Sequence, residues 1–432
     1  MENKSSLVWK ILIGFALGTA IGLSLSEFAS PDTVKKVLPW VAPFGNVLVA
    51  MLKMVVYPVI LCSLICGAAS LSLKESGKIG GTVLLWYFAT SLFATVFGIF
   101  MAMALNPTLQ AQGAQSMASG QMEGVKTMAA AGAGAASFGD FLVGIFANPF
   151  KALADGNFLS IIVFAIGFGL AARVVLDTSA DARIRANVQA LLDVVSGAEK
   201  ASFKLIEWVV LYFPIGVFAL TLNNFAQNGT LLFGPYARIT LAVVAGVAGM
   251  IFVIYPLAIG IFCRENPLPA MLKMKDAMLT AFVTRSSAAT LPVSFRAMDS
   301  LGVDRTLSSF SLPLGATVNM NGVCVHLPVF VILAANLFGH SIGPIQMAML
   351  CLSILFASVG AGGVPGGSVF LLFMVLENMG LSAEQVSLVV ALALGINPIL
   401  DMFETCCNVA GDNVCTYIVA RTRGKRERAC GI

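Results

Sequence analysis

The stretch Ile399-Leu-Asp-Met-Phe-Glu-Thr-Cys-Cys-Asn-Val-Ala-Gly-Asp412 sets five polar residues among apolar neighbours near the C-terminus of the chain. They recur at the spacing of one helix face, and they are Asp401, Glu404, Thr405, Asn408 and Asp412. Ionisable groups are costly inside a bilayer, so those found there usually face a binding site or a water-filled path. The stretch therefore predicts a membrane helix with a polar face that lines a binding site.

The composition around this stretch is that of a membrane protein. The chain has 432 residues, of which 58% are hydrophobic and 11% are charged, and its mean hydropathy is +0.89. Soluble domains average about 25% charged residues. Apolar runs such as 11–25, 83–105 and 242–262 approach or exceed the roughly 20 residues that span a bilayer. We expect an all-α, multi-pass membrane protein.

Basic residues are unevenly distributed along the chain, which carries a net charge of +4. More than half of them lie in five short segments, at 4–10, 74–78, 183–185, 264–275 and 421–428. The loops around 106–138, 227–236 and 339–346 are nearly free of them, although Lys35 and Lys36 depart from the pattern. By the positive-inside rule, this asymmetry predicts cytoplasmic termini and a place in the inner (plasma) membrane. No polar domain is left to bind a nucleic acid.

The sequence shows no pattern of an enzyme or of a transition-metal site. Its nine cysteines lie mostly inside apolar runs, with neither the spacing of a zinc site nor that of a disulfide framework. We interpret them as small buried residues with reduced thiols. The two histidines, His326 and His340, are too few and too far apart for a histidine-based metal centre. Nucleophile elbows, P-loops and dinucleotide fingerprints are also missing from the sequence, so we expect no enzymatic reaction and no organic cofactor.

Hydropathy divides the first part of the chain into six apolar spans. They lie near 8–27, 40–71, 79–105, 138–178, 195–226 and 233–262. The fourth span is too long for one straight crossing and should fold as several shorter helices. The segment 106–137 is rich in glycine, alanine, methionine and glutamine with little charge, which is typical of a loop, here on the outer side.

From about residue 264 onward, small polar patches with glycine or proline interrupt the apolar helices. Besides the C-terminal stripe, they lie at 284–292, 315–322 and 358–368. Irregular backbone is tolerated in a bilayer only where it is buried in protein or lines a cavity, and paired interruptions in two repeats indicate a transporter site. We therefore interpret 264–337 and 345–420 as one unit used twice, each with a re-entrant hairpin. Any single patch is also explained by close packing between helices.

The patches supply oxygen atoms for a hard monovalent cation, which prefers oxygen ligands. An unwound segment at 317–320 would free backbone carbonyl groups. Asn319, Asn408 and Asp412 would add side-chain oxygens, and Asp412 would also supply the negative charge.

The same patches offer a partner to each end of a zwitterion. Ser286, Ser287 and Val364 can present backbone N–H groups to a carboxylate, as helix N-termini do. Asp401 and Thr405 can receive an α-amino group through charge-assisted hydrogen bonds.

An alternative interpretation makes the acids of the stripe internal partners of basic side chains. The candidates are Arg285, Arg296 and a lysine. An ion pair of Arg285 with Asp401 or with Glu404 is compatible with a binding role.

Four motifs resemble those of the dicarboxylate/amino acid:cation symporter family. They are Thr284-Arg-Ser-Ser, Asn319-Met-Asn-Gly, Gly363-Val-Pro-Gly-Gly and the stripe from Asp401 to Asp412. The similarity covers nearly the whole chain. The family includes carriers of glutamate and aspartate, of neutral amino acids, of C4-dicarboxylates, and of serine and threonine. The resemblance implies a sodium-coupled symporter that forms a homotrimer in the lipid bilayer.

The resemblance also implies an elevator-type transporter with eight transmembrane helices, two re-entrant helical hairpins and inverted repeats. In this architecture a transport domain carries the substrate across the membrane against a static scaffold. The implied parts are scaffold helices 1 and 2 at 1–78, transport helix 3 at 79–105, the outer loop at 106–137, scaffold helices 4 and 5 at 138–226, the rest of the transport domain at 227–420, and a basic cytoplasmic tail at 421–432.

The site positions of the family carry over onto this sequence residue by residue. Those implied for the substrate are Arg285, Ser286, Ser287, Val323, Val364, Gly366, Asp401, Glu404, Thr405 and Asn408. Those implied for a first sodium ion are Gly315, Asn319, Asn408 and Asp412. A second sodium ion maps onto Thr317, Met320, Ser358, Val359 and Ala361. A third maps onto Tyr87, Thr90, Ser91, Asn319 and Asn321.

One departure from the family pattern bears on the substrate. Members that carry acidic substrates have arginine at the position of Glu404, where it grips the side-chain carboxylate. A glutamate there repels a second carboxylate by about 4 kcal/mol at roughly 4 Å and an effective dielectric constant near 20. Glu404 followed by Thr405 resembles the serine/threonine carriers, so we expect serine, threonine or alanine. The alternatives are a dicarboxylate or acidic amino acid, and a cationic amino acid held by Glu404.

Other departures bear on the coupled cation. Asn321 stands where the family has aspartate, Asn397 where another acid often lies, and Val323 replaces a threonine. An amide cannot neutralise a cation that it desolvates, so we expect a weak third sodium site and coupling to one or two sodium ions. Proton coupling through Glu404 is an alternative. A channel or receptor-like protein that binds amino acids without concentrating them is the alternative from a different class.

Overall fold

A computed structural model describes residues 4–69, 77–105, 146–155, 158–339, 342–359, 367–379 and 381–430. Within these ranges the chain forms helices and no strands. A bilayer offers no water to the backbone, so each spanning segment must satisfy its N–H and C=O groups internally, and a helix does so within one segment.

The first half of the chain forms six helices in the described ranges. They are α1 (Lys4–Phe28), α2 (Pro31–Ala69), α3 (Gly77–Leu105), α4 (Pro149–Asp155), α5 (Phe158–Thr178) and α6 (Ala182–Asn228). The long fourth apolar span folds as more than one helix, as expected, although its first residues and the predicted outer loop at 106–137 lie outside the described ranges. Helix α6 begins well before the predicted start near 195, because Asp181 caps it by accepting the Arg183 N–H at 2.8 Å.

The second half forms one long helix followed by shorter ones and a final long one. They are α7 (Phe233–Cys263), α8 (Pro267–Thr284), α9 (Ser287–Ser300), α10 (Arg305–Val318), α11 (Asn321–Phe338), α12 (Pro344–Val359), α13 (Gly367–Asn378) and α14 (Ala383–Cys430). Two stretches of α7, Met250–Ile254 and Ile259–Cys263, are wound as π-helix.

Eight segments of the described chain are long and apolar enough to cross a membrane. They are Trp9–Phe28, Pro31–Ala69, Gly80–Leu105, Ser160–Thr178, Ala182–Asn228, Phe233–Cys263, Arg305–Phe338 and Leu388–Thr422. This agrees with the number that the family resemblance implies. Large apolar side chains such as Trp40, Trp208 and Phe252 are exposed on the outer faces, as expected for residues that contact lipid.

The helices pack in two groups. In the first group α1 and α2 pack on α6, and α5 packs on α2. In the second group α14 is central, with contacts to α3, α7, α8, α9, α10, α11 and α13. Because α14 is surrounded by protein, a polar face on it is removed from lipid.

Two of the polar patches break a helix where the sequence predicts an interruption. Arg285 and Ser286 separate α8 from α9, and Asn319 and Met320 separate α10 from α11. The third patch joins α12 to α13, and its residues 360–366 lie outside the described ranges. Helix α14 runs through the C-terminal stripe without a break, as the helical spacing of the stripe predicts, and its backbone groups are satisfied within the helix.

Candidate substrate and cation site

The polar stripe lies on one buried face of α14, as its spacing predicts. The side chains of Asp401, Glu404, Thr405, Asn408 and Asp412 are each between 1% and 5% exposed. A buried carboxylate is strongly unfavourable unless it is protonated, paired or bound to a cation. The partners of these acids therefore determine the chemistry of the site.

Arg285 reaches the stripe from the break between α8 and α9. Its backbone is left-handed, with φ 52°, and its N–H donates to the Ala281 carbonyl at 2.9 Å. A side-chain-bearing residue adopts this conformation only where its surroundings impose it. The guanidinium Nε lies 3.7 Å from Oδ2 of Asp401, and both side chains are largely buried. Of the two carboxylates considered as partners of Arg285, Asp401 is the one it meets.

The N-terminus of α9 lies next to this ion pair. Ser286 caps the helix, since its hydroxyl accepts the Ala289 N–H at 3.3 Å. The hydroxyl of Ser287 is buried and has no hydrogen-bond partner among the described residues. A buried hydroxyl without a partner at a helix N-terminus is suited to an anionic ligand group. Val364 and Gly366, expected on the other side of the ligand, lie outside the described ranges.

Thr405 in the stripe and Val323 on α11 are both buried. The Thr405 hydroxyl donates to the Asp401 carbonyl at 2.8 Å, so it retains only acceptor capacity for a ligand. This fits the expected role toward an α-amino group, which has only N–H donors to offer.

Glu404 pairs with a residue that the sequence did not reveal as functional. Its Oε1 is in hydrogen-bond contact with Nδ1 of His326 on α11, and both side chains are at most 1% exposed. Sequence reasoning considered the histidine only as a metal ligand, because its neighbours are apolar and 78 positions separate it from Glu404. One signal was present: His326 lies four residues after Gly322 and so on the same helix face.

Helices α11 and α14 approach each other closely at Gly322. The Gly322 N–H donates to Oδ1 of Asn408 at 2.7 Å. A Cβ on this glycine would lie 2.6 Å from the Cα of Glu404. The glycine is therefore required for the two helices to hold Glu404 and His326 together.

Replacing Gly322 with alanine should destabilise the protein by about 1–3 kcal/mol, since the new methyl group meets backbone and not a flexible side chain. We expect the purified variant to lose its monodisperse gel-filtration peak at a lower temperature than the unchanged protein. Gly167→Ala is the matched control, because nothing lies within 4 Å of a Cβ there. Equal stability of the two variants would contradict the close approach.

Three of the four residues expected at the first sodium position come together at the C-terminal end of the stripe. Nδ2 of Asn319 donates to Oδ1 of Asp412 at 2.9 Å, and the Gly315 carbonyl accepts the Asn319 N–H at 2.9 Å. A Cβ on Gly315 would lie 2.6 Å from Oδ1 of Asp412, so only glycine lets α10 approach the carboxylate. The side chain of Asn408 does not contact Asp412 among these bonds. Its Oδ1 accepts the Gly322 N–H, and its Nδ2 donates to Sδ of Met320 at 3.3 Å.

The residues expected at the third position are all engaged in hydrogen bonds. Oδ1 of Asn321 accepts the Ser91 hydroxyl at 3.0 Å, and its Nδ2 donates to the Tyr255 hydroxyl at 2.9 Å. The Thr90 hydroxyl donates to Oδ1 of Asn319 at 3.2 Å, and Tyr87 donates to the Ser311 carbonyl at 2.7 Å. The amide of Asn321 therefore has a hydrogen-bond partner for its oxygen and another for its nitrogen.

Two members of the second position meet at a cavity between the two helix groups. Thr317 and Ser358 both line this cavity of about 230 Å³, together with Tyr87 and Ser91. The Thr317 and Ser358 hydroxyls donate to carbonyls of their own helices, at 2.9 Å and 2.7 Å. Their oxygen atoms remain available as acceptors.

The remaining members of that position are only partly described. Met320 lies at the break between α10 and α11, and Val359 is the last residue of α12. Ala361 lies outside the described ranges.

Proteins of similar sequence belong to one family. A model of the sodium:dicarboxylate symporter family matches residues 7–422. The serine/threonine transporter SstT of Bifidobacterium adolescentis is 33% identical over 414 residues, which cover 95% of this chain and 88% of that protein. The serine/threonine transporter SstT of Campylobacter jejuni is 30% identical over 419 residues, or 97% and 96% of the two chains.

A further relative is the serine/threonine transporter SstT of Acinetobacter baumannii, 29% identical over 418 residues, or 96% of this chain and 97% of that protein. The family match spans almost the whole of a chain that has eight apolar segments of membrane-crossing length. The chain therefore belongs to the sodium:dicarboxylate symporter family and is a multi-pass membrane transporter, not an enzyme.

Proposed function

We propose that this protein is a sodium-coupled symporter that imports a small neutral amino acid, with serine and threonine as its first candidates. The observation that carries the proposal is Glu404, paired with His326 on the buried face of α14. Members of the family that bind acidic substrates have an arginine at this position. The names of the similar proteins, all serine/threonine transporters, point to the same substrates.

The zwitterionic part of the substrate would lie between α9 and α14. Its carboxylate would meet the N-terminus of α9, where the Ser287 hydroxyl is buried and unpaired among the described residues. Its α-amino group would meet Asp401 and Thr405. The Arg285 guanidinium, 3.7 Å from Asp401, would balance the charge of that carboxylate before the substrate arrives.

The side-chain end of the substrate would meet Glu404. An acidic side chain would find a carboxylate there and no guanidinium, so a dicarboxylate is disfavoured. A cationic side chain would have to compete with His326 for the same carboxylate. A small uncharged side chain has neither problem.

The sodium ion would bind where Asp412, Asn319 and the carbonyl of Gly315 converge. A second ion would use Thr317 and Ser358 at the cavity between the helix groups. We infer weak binding at the third position, because the amide of Asn321 is satisfied by Ser91 and Tyr255. Coupling to one or two sodium ions follows.

The movement would be that of an elevator. We propose that α1, α2, α5 and α6 form the trimerising scaffold and that α3 and α7 to α14 form the transport domain, with the pairs α8–α9 and α12–α13 as re-entrant hairpins. The termini would be cytoplasmic and the protein would lie in the inner membrane, as its charge distribution predicts.

Accumulation in proteoliposomes tests the transport proposal. With an inward sodium gradient, the purified protein should concentrate labelled serine above the outside level, and collapse of the gradient should release it. A channel would only equilibrate serine, so equal concentrations on both sides would contradict the symport. A competition panel of amino acids and C4-dicarboxylates in the same vesicles tests the substrate class.

The proposed movement can be tested at one contact between the helix groups. Tyr57 on α2 donates to Oε2 of Glu377 on α13 at 3.0 Å. In an elevator this bond breaks in each cycle, and a hydrogen bond to a charged group contributes roughly 1.5–3 kcal/mol. Tyr57→Phe should therefore raise the turnover number by about tenfold to a hundredfold and leave the KM for serine unchanged.

A matched control is Tyr212→Phe, because the Tyr212 hydroxyl donates to the Phe44 carbonyl at 3.0 Å within the scaffold. Identical turnover of the two variants would argue against relative movement of α2 and α13.

A further inference from the structure

His326 and Glu404 form a buried polar pair where α11 meets the polar face of α14. Nδ1 of His326 contacts Oε1 of Glu404. The other polar atom of each side chain, Nε2 of His326 and Oε2 of Glu404, has no hydrogen-bond partner among the described residues. The imidazole is fully buried and lies against the ring of Phe330, with 4.7 Å between ring centroids. A buried polar atom without a partner requires an explanation, and a ligand is one.

The contact makes the two oxygen atoms of Glu404 unequal, because Oε1 is bound to His326 and Oε2 has no partner among the described residues. A substrate group that reaches this point of the pocket therefore meets Oε2.

The geometry also fixes which oxygen is free. His326 holds Oε1, and its rigid ring is confined by α11, so the carboxyl group cannot rotate without losing this bond. The position of Oε2 is therefore fixed, on the same helix face as Asp401 and Thr405. This oxygen can accept one O–H from a ligand.

We propose that His326 is a positioning residue for substrate selection, which holds Glu404 so that Oε2 accepts the β-hydroxyl of serine or threonine. The inference rests on the proposed amino acid transport and adds the reason for a hydroxylated substrate. A site built to bond a substrate hydroxyl discriminates strongly against an analogue that lacks it, because its own polar group is then left unpaired.

The selectivity test compares serine with alanine, and threonine with 2-aminobutyrate, as competitors of labelled serine uptake. The unchanged protein should prefer each hydroxylated member by about tenfold to a hundredfold. His326→Leu should abolish this preference, whereas His326→Gln, which keeps an N–H donor, should retain part of it. The control is His340→Gln, which changes the other histidine of the chain and should leave the preference intact. An unchanged preference in His326→Leu would overturn the inference.

A spectroscopic test does not depend on the substrate. The chain has two histidines, so ¹⁵N-histidine labelling of His340→Gln protein gives the imidazole signal of His326 alone. We expect an Nδ1 signal typical of a hydrogen-bonded imidazole, and a shift of that signal when Glu404→Gln is added. A signal that Glu404→Gln leaves unchanged would overturn the pairing, even if His326→Leu failed to fold. Absence of serine transport by the unchanged protein would instead refute the proposed function.

Discussion

Replacing Asp412 with asparagine should abolish sodium-driven accumulation of serine. Asp412 is buried, accepts a hydrogen bond from Asn319 and lies against Gly315, so it supplies the negative charge at the proposed cation position. A unit charge at about 4 Å from the ion is worth about 4 kcal/mol at an effective dielectric constant near 20, which corresponds to about a thousandfold in sodium affinity.

The measurement is the sodium concentration that gives half-maximal serine uptake in proteoliposomes. Asp299→Asn is the matched control, since Asp299 forms an exposed ion pair with Arg305 at 2.7 Å and such pairs contribute little. Sodium dependence that is the same in Asp412→Asn and in the control would place the coupled ion elsewhere.

Replacing Glu404 with arginine should reduce serine transport by about a hundredfold or more. The change removes the partner of His326 and sets a guanidinium beside the imidazole, and breaking a buried pair costs about 3–5 kcal/mol. The same guanidinium can hold a second carboxylate, so we expect aspartate to compete in the variant and not in the unchanged protein.

Glu404→Gln separates the loss of charge from the change of shape. Its amide keeps the size of the carboxyl group, so serine transport should fall less than in Glu404→Arg, and aspartate should gain nothing. Serine uptake that persists unchanged in Glu404→Arg would show that this side chain lies outside the pocket.

The sequence predicts the parts of the site that depend on local pattern. Asp401 to Asp412 share one face because helical periodicity is a local property, and the breaks at Arg285 and at Asn319 follow from small and polar residues in otherwise apolar helices. Irregular backbone is costly in a bilayer, so these breaks had to lie inside the protein. Both interruptions are in the structure where the patches indicate them.

The pairing of the polar groups could not be read from the sequence. The sequence offered two carboxylates, Asp401 and Glu404, as partners of Arg285. Only the packing of α8 on α14 brings Arg285 to Asp401. His326 is a lone histidine in an apolar helix, and its contact with Glu404 depends on how closely Gly322 lets α11 approach α14. Such contacts between distant segments follow from tertiary packing, which hydrophobic pattern alone does not specify.

The most direct test of the account is the serine affinity of the purified protein, measured by calorimetry at a series of sodium concentrations, with aspartate in parallel. The account predicts that serine binds tightly at high sodium and loses affinity as sodium is withdrawn, and that aspartate fails to bind at any sodium concentration. Sodium-dependent binding of aspartate tighter than that of serine would contradict it.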